Sequence, residues 1–171
     1  CLIYLLPIRP DMYSGKDVFR KKLMAFCNYR ERCQKEFIDK MWELKIPREW
    51  QDELILEFIQ ENILNEERFA RALVRGKFRI NAWGKTKIRM LLKSHGITEP
   101  LLSMALQEID EDEYLDAAVR LYRKKFAELK GGFTYENKNK CRNYLQQRGF
   151  DHDIIRQAEA DMHSEDGALE E

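Results

Sequence analysis

Apolar residues recur along this chain at intervals of three and four positions, the spacing that places them on one face of an α-helix. Phe19, Leu23 and Phe26 show this spacing near the start of the chain. After the first few residues, no segment shows the alternation of apolar and polar positions that is typical of a half-buried strand. The pattern predicts helices over 18–29, 33–44, 49–61, 66–79, 85–95, 100–109, from about 110 to the Gly131-Gly132 pair, 135–148 and 151–162.

Two of these segments, 84–97 (GKTKIRMLLKSHGI) and 137–150 (NKNKCRNYLQQRGF), repeat one pattern 53 positions apart. A weaker copy at 33–46 keeps the apolar positions Phe37, Met41 and Ile46. A period of about fifty residues indicates a repeat array. The matched pairs are Lys85 and Lys138, Lys87 and Lys140, Arg89 and Arg142, Leu92 and Leu145, and Gly96 and Gly149.

The repeat predicts an all-α fold of three tandem three-helix repeats. No single helix can bury its apolar stripe alone, so neighbouring helices must stack, and we expect an elongated, curved helical array. The predicted divisions are an N-terminal tail (1–17), a first repeat (18–64), a second repeat (65–109), a third repeat (110–162) and an acidic C-terminal tail (163–171).

Charge is strongly segregated, although the formal net charge is zero. Segments 66–98 and 120–148 each hold nine basic and two acidic residues. Segment 99–119 holds seven acidic residues and no lysine or arginine, and 149–171 holds eight acidic residues and one arginine. Local charge therefore indicates more about binding partners than the net charge does.

The basic residues of the second and third repeats are the candidate binding residues. On the helix predicted over 85–95, Lys85, Arg89 and Lys93 form a stripe beside the apolar face, and Lys138 and Arg142 form the matching stripe in the third repeat. Exposed cations usually serve solvation, but the repetition favours a basic track that binds a polyanion or an acidic protein surface. The full candidate set is Arg71, Arg75, Lys77, Lys85, Lys87, Arg89, Lys93, Arg123, Lys124, Lys138 and Arg142.

Trp83, between the basic helices, has two interpretations. Its ring could stack on a base or enter a partner's pocket. It could instead fill the joint between two helices, and we favour this packing role.

Residues that could support catalysis, metal binding or a cofactor do not cluster in this sequence. The four cysteines form no C-x-x-C pair, and the three histidines have no catalytic or zinc-ligand spacing. Cys141 falls at a core position of the repeat and reads as a small buried hydrophobe. We therefore expect a protein that is not an enzyme, in a reducing cytoplasm, with no membrane span.

The chain resembles the RecX family of bacterial recombinase modulators over about 18–162. The resemblance rests on 29–33 (YRERC), on 64–75 (LNEERFARALVR) and on the 84–97 repeat. Segments 123–126 (RKKF) and 145–150 (LQQRGF) extend it. The central repeat is the most specific part, and the first repeat is the most divergent.

The resemblance implies a monomeric regulator that binds the groove of the RecA recombinase filament. It implies inhibition of RecA strand exchange, ATPase activity and filament extension, in recombination and DNA repair, without catalytic residues of its own. Some family members also bind DNA, single-stranded or double-stranded. The alternative is a helical-repeat protein that acts on DNA without RecA, although the acidic segments argue against a duplex along the whole molecule. A scaffold for another protein is the third hypothesis.

From the sequence, we expect charge reversal at Lys85, Arg89, Lys138 and Arg142 to weaken inhibition of the RecA filament while helicity stays intact. Strand-exchange titration and far-UV circular dichroism measure the two quantities. Unchanged inhibition would refute this choice of contact face.

Overall fold

A computed structural model describes the backbone of residues 10–132 and 134–167, and the side chains of 15–132 and 134–162. These residues form nine α-helices and no strand, so the predicted all-α class is confirmed. The helices are α1 (Pro10–Tyr29), α2 (Gln34–Glu43), α3 (Arg48–Gln60), α4 (Glu66–Arg79), α5 (Lys85–Ser94), α6 (Glu99–Leu106), α7 (Glu111–Ala127), α8 (Tyr135–Gln147) and α9 (His152–Gly167).

The first and last helices are longer than predicted. Helix α1 begins at Pro10, inside the predicted tail 1–17, because proline is favoured in the first turn of a helix, where its missing N–H costs nothing. Helix α9 continues to Gly167, into the predicted tail 163–171. Met162, the last side chain of α9 that the structure describes, is buried. Residues 1–9 and 168–171 lie outside the described part of the chain.

The three copies of the repeat end their central helix with the same turn. Lys45, Gly96 and Gly149 have φ angles of 55°, 80° and 86°, so each adopts the left-handed conformation that ends a helix. The next residue in each repeat is buried, and its N–H donates to a carbonyl five positions back. These bonds are Ile46 N to Met41 O (3.0 Å), Ile97 N to Leu92 O (3.2 Å) and Phe150 N to Leu145 O (3.1 Å).

The chain packs as two compact units, Cys1–Phe69 and Ala70–Glu171. In the N-terminal unit, the Arg20 guanidinium of α1 pairs with Glu57 of α3 and with Glu61, the residue that caps the end of α3, with 2.8 Å between Arg20 Nη2 and Glu61 Oε1. Apolar side chains from α1, α2 and α3, and from the turns that follow α2 and α3, fill this unit's core. They are Leu23, Phe37, Met41, Ile46, Leu54, Phe58 and Leu64.

The C-terminal unit contains nearly all of the second repeat and the whole third repeat. Helix α7 packs against α8 and α9, and α5 packs against α6. Tyr114 and Tyr122 of α7 are among its largest fully buried side chains. Cys141 is also fully buried, as its repeat position predicted, and this burial raises the pKa of its thiol.

The second and third repeats meet where the start of α5 touches the turn after α8. The Gly84 N–H donates to the Arg148 carbonyl at 2.8 Å, and the Thr86 N–H donates to the Gly149 carbonyl at 3.1 Å. A Cβ on Gly84 would lie 2.1 Å from the Gly149 oxygen, and a Cβ on Gly149 would lie 2.4 Å from Lys87 Cβ. Only glycine therefore permits this approach.

Tyr114 of α7 also contacts both sides of this joint. Its hydroxyl accepts a hydrogen bond from the Lys85 N–H at 3.1 Å and donates to Asp151 Oδ2 at 3.3 Å. Its ring stacks on Phe150, with centroids 5.0 Å apart. The other Asp151 oxygen accepts a bond from the Thr86 hydroxyl at 2.7 Å. Burial raises the Tyr114 pKa, so the hydroxyl stays protonated and keeps its role as a donor.

We predict that Gly84→Ala destabilises the fold by about 3 kcal/mol, because the new methyl group meets backbone atoms that cannot move aside. The backbone at Gly84 (φ −77°, ψ 164°) suits alanine, so the cost arises from the contact alone. For a chain of this size the melting temperature should fall by roughly 6–12 °C, measured by circular dichroism.

Gly76→Ala is the matched control. A Cβ there meets nothing within 4 Å, inside α4. This change should stabilise the protein by about 0.5–1 kcal/mol, because alanine favours the helix. Equal melting temperatures for the two variants would contradict the joint described above.

Candidate partner-binding surface

The basic residues predicted on α4 are held by an acid that follows α6. Arg71 and Arg75 both contact Glu108, with 2.9 Å between Arg75 Nη1 and Glu108 Oε2. Hydrogen bonds from Arg75 and Arg71 lower the pKa of the Glu108 carboxyl. The two arginines are therefore partly neutralised within the unit.

The stripe predicted on α5 is paired in the same way. Lys85 Nζ lies 2.6 Å from Glu111 Oε1. Arg89 and Lys93 share Glu99, with 3.1 Å between Lys93 Nζ and Glu99 Oε2. The hydrogen bond from Lys93 is the main cause of a lowered pKa for the Glu99 carboxyl, with Arg89 adding to it. All three predicted cations of α5's stripe thus hold an acidic partner.

In the third repeat, Arg142 forms a bidentate ion pair with Glu159 of α9. The distances are 2.7 Å from Nε and 2.9 Å from Nη2 to the two carboxylate oxygens. Glu159 is only 8% exposed, so this pair is the least solvated of the set, and the Glu159 hydrogen bond raises the Arg142 pKa. Lys138 is half-buried, whereas Arg123 and Lys124 are exposed on α7.

Glu99, Glu108 and Glu111, which pair with the candidate cations of α4 and α5, all come from segment 99–119. The charge blocks that the sequence separates are therefore brought together by the fold. Of the four residues chosen for charge reversal, Lys85, Arg89 and Arg142 hold carboxylates. Reversal would set acid against acid, so the expectation of an unchanged fold in that variant no longer applies.

Lys85 and Arg89 also line an open cleft between α5, α6 and the start of α7. The hydroxyl groups of Thr86 and Ser103 and the amide of Gln107 line it too. The carboxylates of Glu111 and Asp151 line it as well, so an acidic side chain of a protein partner fits this cleft where it takes the place of Glu111 beside Lys85.

Two of the predicted cations are held by an aromatic ring instead of an acid. The Nζ atoms of Lys77 and Lys87 lie 4.9 Å and 4.4 Å from the centroid of the Trp83 ring. The Trp83 side chain is partly exposed. The backbone N–H of Trp83 donates to the Lys77 carbonyl at 3.1 Å. The ring thus lies just before the start of α5 with two ammonium groups over it, and its role in filling the joint between two helices stays a prediction.

A second aromatic group of this kind was missed in the sequence. The Arg148 guanidinium lies 4.8 Å from the Tyr144 ring centroid, and Lys125 Nζ lies 5.7 Å from it. Lys125 also pairs with Glu128 at 2.9 Å. The only sequence feature that distinguished Arg148 is that the second repeat has His95 at the equivalent position. That single difference between the repeats did not indicate a contact with Tyr144.

Comparison with known proteins identifies the family. The model for the second three-helix domain of RecX matches residues 65–106, and the model for the third matches residues 111–158. The regulatory protein RecX of Chlorobium phaeobacteroides (strain BS1) is 33% identical over 129 residues, which cover 75% of this chain and 82% of that protein. This chain belongs to the RecX family. Its predicted family resemblance is confirmed.

Some RecX proteins are longer than this chain. The regulatory protein RecX of Lactobacillus gasseri is 26% identical over 132 residues, which cover 77% of this chain and 48% of that protein. The chain thus spans about half the length of this relative. The crystal structure of RecX from Lactobacillus salivarius matches with a TM-score of 0.81 at 22% identity, over 88% of this chain and 98% of that one. This likeness supports the helical-repeat fold. Within the described residues, no helix combines the length and apolar character that a membrane span requires.

The lowered pKa of the Glu108 carboxyl generates a pH prediction. A group whose pKa is lower in the folded than in the unfolded state stabilises the fold above its unfolded pKa of about 4.3. That contribution is lost as the pH falls through the folded pKa. Glu108→Gln should therefore lose less stability than the parent between about pH 5 and about pH 3, measured by urea unfolding at each pH.

Asp116→Asn provides the control, since Asp116 is exposed on α7 and has no ion pair among the described residues. The free energy of unfolding of this variant should depend on pH in the same way as that of the parent. If that of Glu108→Gln did so as well, the pairing of Arg71 and Arg75 with Glu108 would contribute nothing in solution.

Proposed function

We propose that this chain regulates the RecA recombinase by binding in the groove of its filament. Bound there, it inhibits strand exchange, ATPase activity and filament extension, and it acts as a cytoplasmic monomer with no catalytic step of its own. The observation that carries the proposal is the family match across the second and third repeats. The relatives are named as regulatory proteins.

The α5 face with Lys85 and Arg89 is our choice of RecA contact. Both cations are paired with exposed carboxylates at the rim of an open cleft. Exposed ion pairs contribute only about 0–1 kcal/mol, so an acidic group of RecA can replace Glu99 or Glu111 at little cost. Exclusion of water on docking then strengthens the new pair. Further cations from the predicted set spread the contact over both repeats, and many modest contacts add up to tight binding.

The test is the double variant Lys85→Gln and Arg89→Gln in RecA-dependent strand exchange. Neutral substitutions avoid setting acid against acid. We expect the concentration that gives half-maximal inhibition to rise about tenfold, which corresponds to about 1.4 kcal/mol of lost binding.

The matched control is Glu99→Gln with Glu111→Gln. It breaks the same ion pairs but leaves both cations in place and free for a partner. Inhibition by this variant should stay unchanged or become stronger. If both double variants lost inhibition equally, the ion pairs would have a structural role only, and this contact face would be wrong. Far-UV circular dichroism checks that each variant is folded.

A further inference from the structure

We infer that the N-terminal unit binds an amphipathic helix with basic flanks, supplied by a partner protein, in the groove between α2 and α3. Apolar side chains line this groove, which we call the α2–α3 groove. They are Ile38 and Trp42 of α2 and Ile55, Leu56 and Ile59 of α3. The inference goes beyond the regulatory function, because this unit holds none of the residues proposed to contact RecA.

The contacts of α3 with α1 show which side of α3 borders the groove. Trp50 packs on Phe19 of α1, with ring centroids 6.0 Å apart, and Glu57 pairs with an arginine of α1. At 100° per residue, Ile59 lies on the side of α3 opposite Trp50 and Glu57, one turn after Ile55. Because the three helices share one core, the side of α3 that points away from α1 is the side next to α2.

The same reasoning places the apolar side of α2. Lys40 Nζ lies 5.6 Å from the centroid of the Phe26 ring of α1, so this side of α2 faces α1. Ile38 and Trp42 precede and follow Lys40 by two positions, which puts both on the opposite side of the helix. Ile38 and Ile55 also pack against the same core cluster. The apolar sides of α2 and α3 therefore border one groove.

This groove leaves large apolar side chains open to solvent. Trp42 is 56% exposed, Leu56 is 58% exposed and Ile59 is 45% exposed. Ile38 and Ile55 are partly buried beside them. Single exposed apolar residues are normal on a protein surface, whereas a group of them along one groove marks an interaction site.

Comparison with the second repeat shows that the repeat fold does not require these apolar residues. Helices α2 and α3 begin 51 positions before α5 and α6, so positions 38, 42, 56 and 59 correspond to Arg89, Lys93, Gln107 and Asp110. All four are polar or charged. Arg89 and Gln107 line one open cleft, which supports the placement of their counterparts, Ile38 and Leu56, in one groove. The apolar groove is thus specific to the first repeat.

The charges around the groove favour a basic partner. Helices α2 and α3 together carry seven acidic and three basic residues, whereas α5 and α6 carry one acidic and four basic residues. Asp39, Glu49 and Asp52 are exposed and have no ion pair among the described residues. Of the three bases, Lys40 pairs with a glutamate of its own helix, and Arg48 is exposed at the start of α3. The excess of acids at the rim therefore attracts lysine and arginine.

An amphipathic helix is the occupant that uses both properties of the groove. Its apolar side chains, spaced by three and four positions, fill a groove between two helices, as in other helix-in-groove complexes. Lysines or arginines beside that apolar stripe then meet the acids at the rim. A second copy of this chain would instead bring the same acids against one another, and an anionic membrane would repel them.

The test measures binding of the intact chain to a fluorescently labelled peptide of leucine and lysine, about 14 residues or four helical turns long, with leucine at helical spacing. By fluorescence anisotropy, Leu56→Gln with Ile59→Gln should bind about tenfold more weakly, because two apolar contacts are lost. Both side chains are exposed, so the fold should persist, and far-UV circular dichroism checks it. Peptide binding should also shift the Trp42 emission to shorter wavelength, and Trp42→Phe should remove that shift.

The matched control is Ile80→Gln with Met90→Gln, which makes two apolar side chains polar at exposed positions of the C-terminal unit. It should bind the peptide as the parent does. Equal losses in the two double variants would overturn the inference, as would no binding by the parent.

A second peptide, with glutamate in place of lysine, tests the charge of the partner. It should bind about fivefold more weakly than the lysine peptide, and Asp39→Asn with Asp52→Asn should narrow this difference. Equal affinity of the parent for both peptides would contradict a basic partner. Sedimentation velocity tests for a second copy. Self-association of the parent that Leu56→Gln with Ile59→Gln abolishes would assign the groove to that copy and overturn the inference.

Discussion

The close backbone approach of Gly84 to Gly149 is the contact on which the C-terminal unit depends. Two main-chain hydrogen bonds cross it, and neither residue has room for a side chain. The approach brings the start of α5 against the turn after α8, so residues more than sixty positions apart become neighbours. Tyr114 and Asp151 then connect the joint to the core. The same joint places Arg148, beside the Tyr144 ring, against the loop that holds Trp83.

Charge pairing is the second organising feature, and it changes how the basic segments should be understood. In the sequence, basic and acidic blocks alternate, and the basic blocks look free to bind a partner. In the fold, Glu99, Glu108 and Glu111 cover the cations of the preceding block. Two kinds of contact thus hold the basic residues of this unit, those with carboxylates and those with rings, and Lys85 and Lys125 have both. A contact of the first kind can be exchanged at low cost, and one of the second kind does not cancel the charge.

Much of the fold could be predicted from the sequence because helix formation leaves a local signal. Apolar spacing located α4 at its observed bounds, and repeat matching placed Cys141 in the core. The ion pairs could not be predicted in the same way. Lys85 and Glu111, for example, are distant in the chain and meet only through helix packing. Arg148 was missed for a related reason, since its contacts with Tyr144 and Asn81 depend on the turn at Gly149. The early start of α1 shows that a proline can mark the beginning of a helix as well as a break.

The turn shared by Lys45, Gly96 and Gly149 has a consequence for how such modules diverge after duplication. All three keep a left-handed backbone, yet only the last is also confined by a neighbouring main chain. The first copy has a lysine there, at the strain that an L-residue incurs in this conformation. Gly96, with open space around its α-carbon, is free to drift toward asparagine over evolutionary time. Gly149 has no such freedom, because a side chain there would collide with Lys87. Equivalent positions of two modules can therefore differ in whether glycine is required.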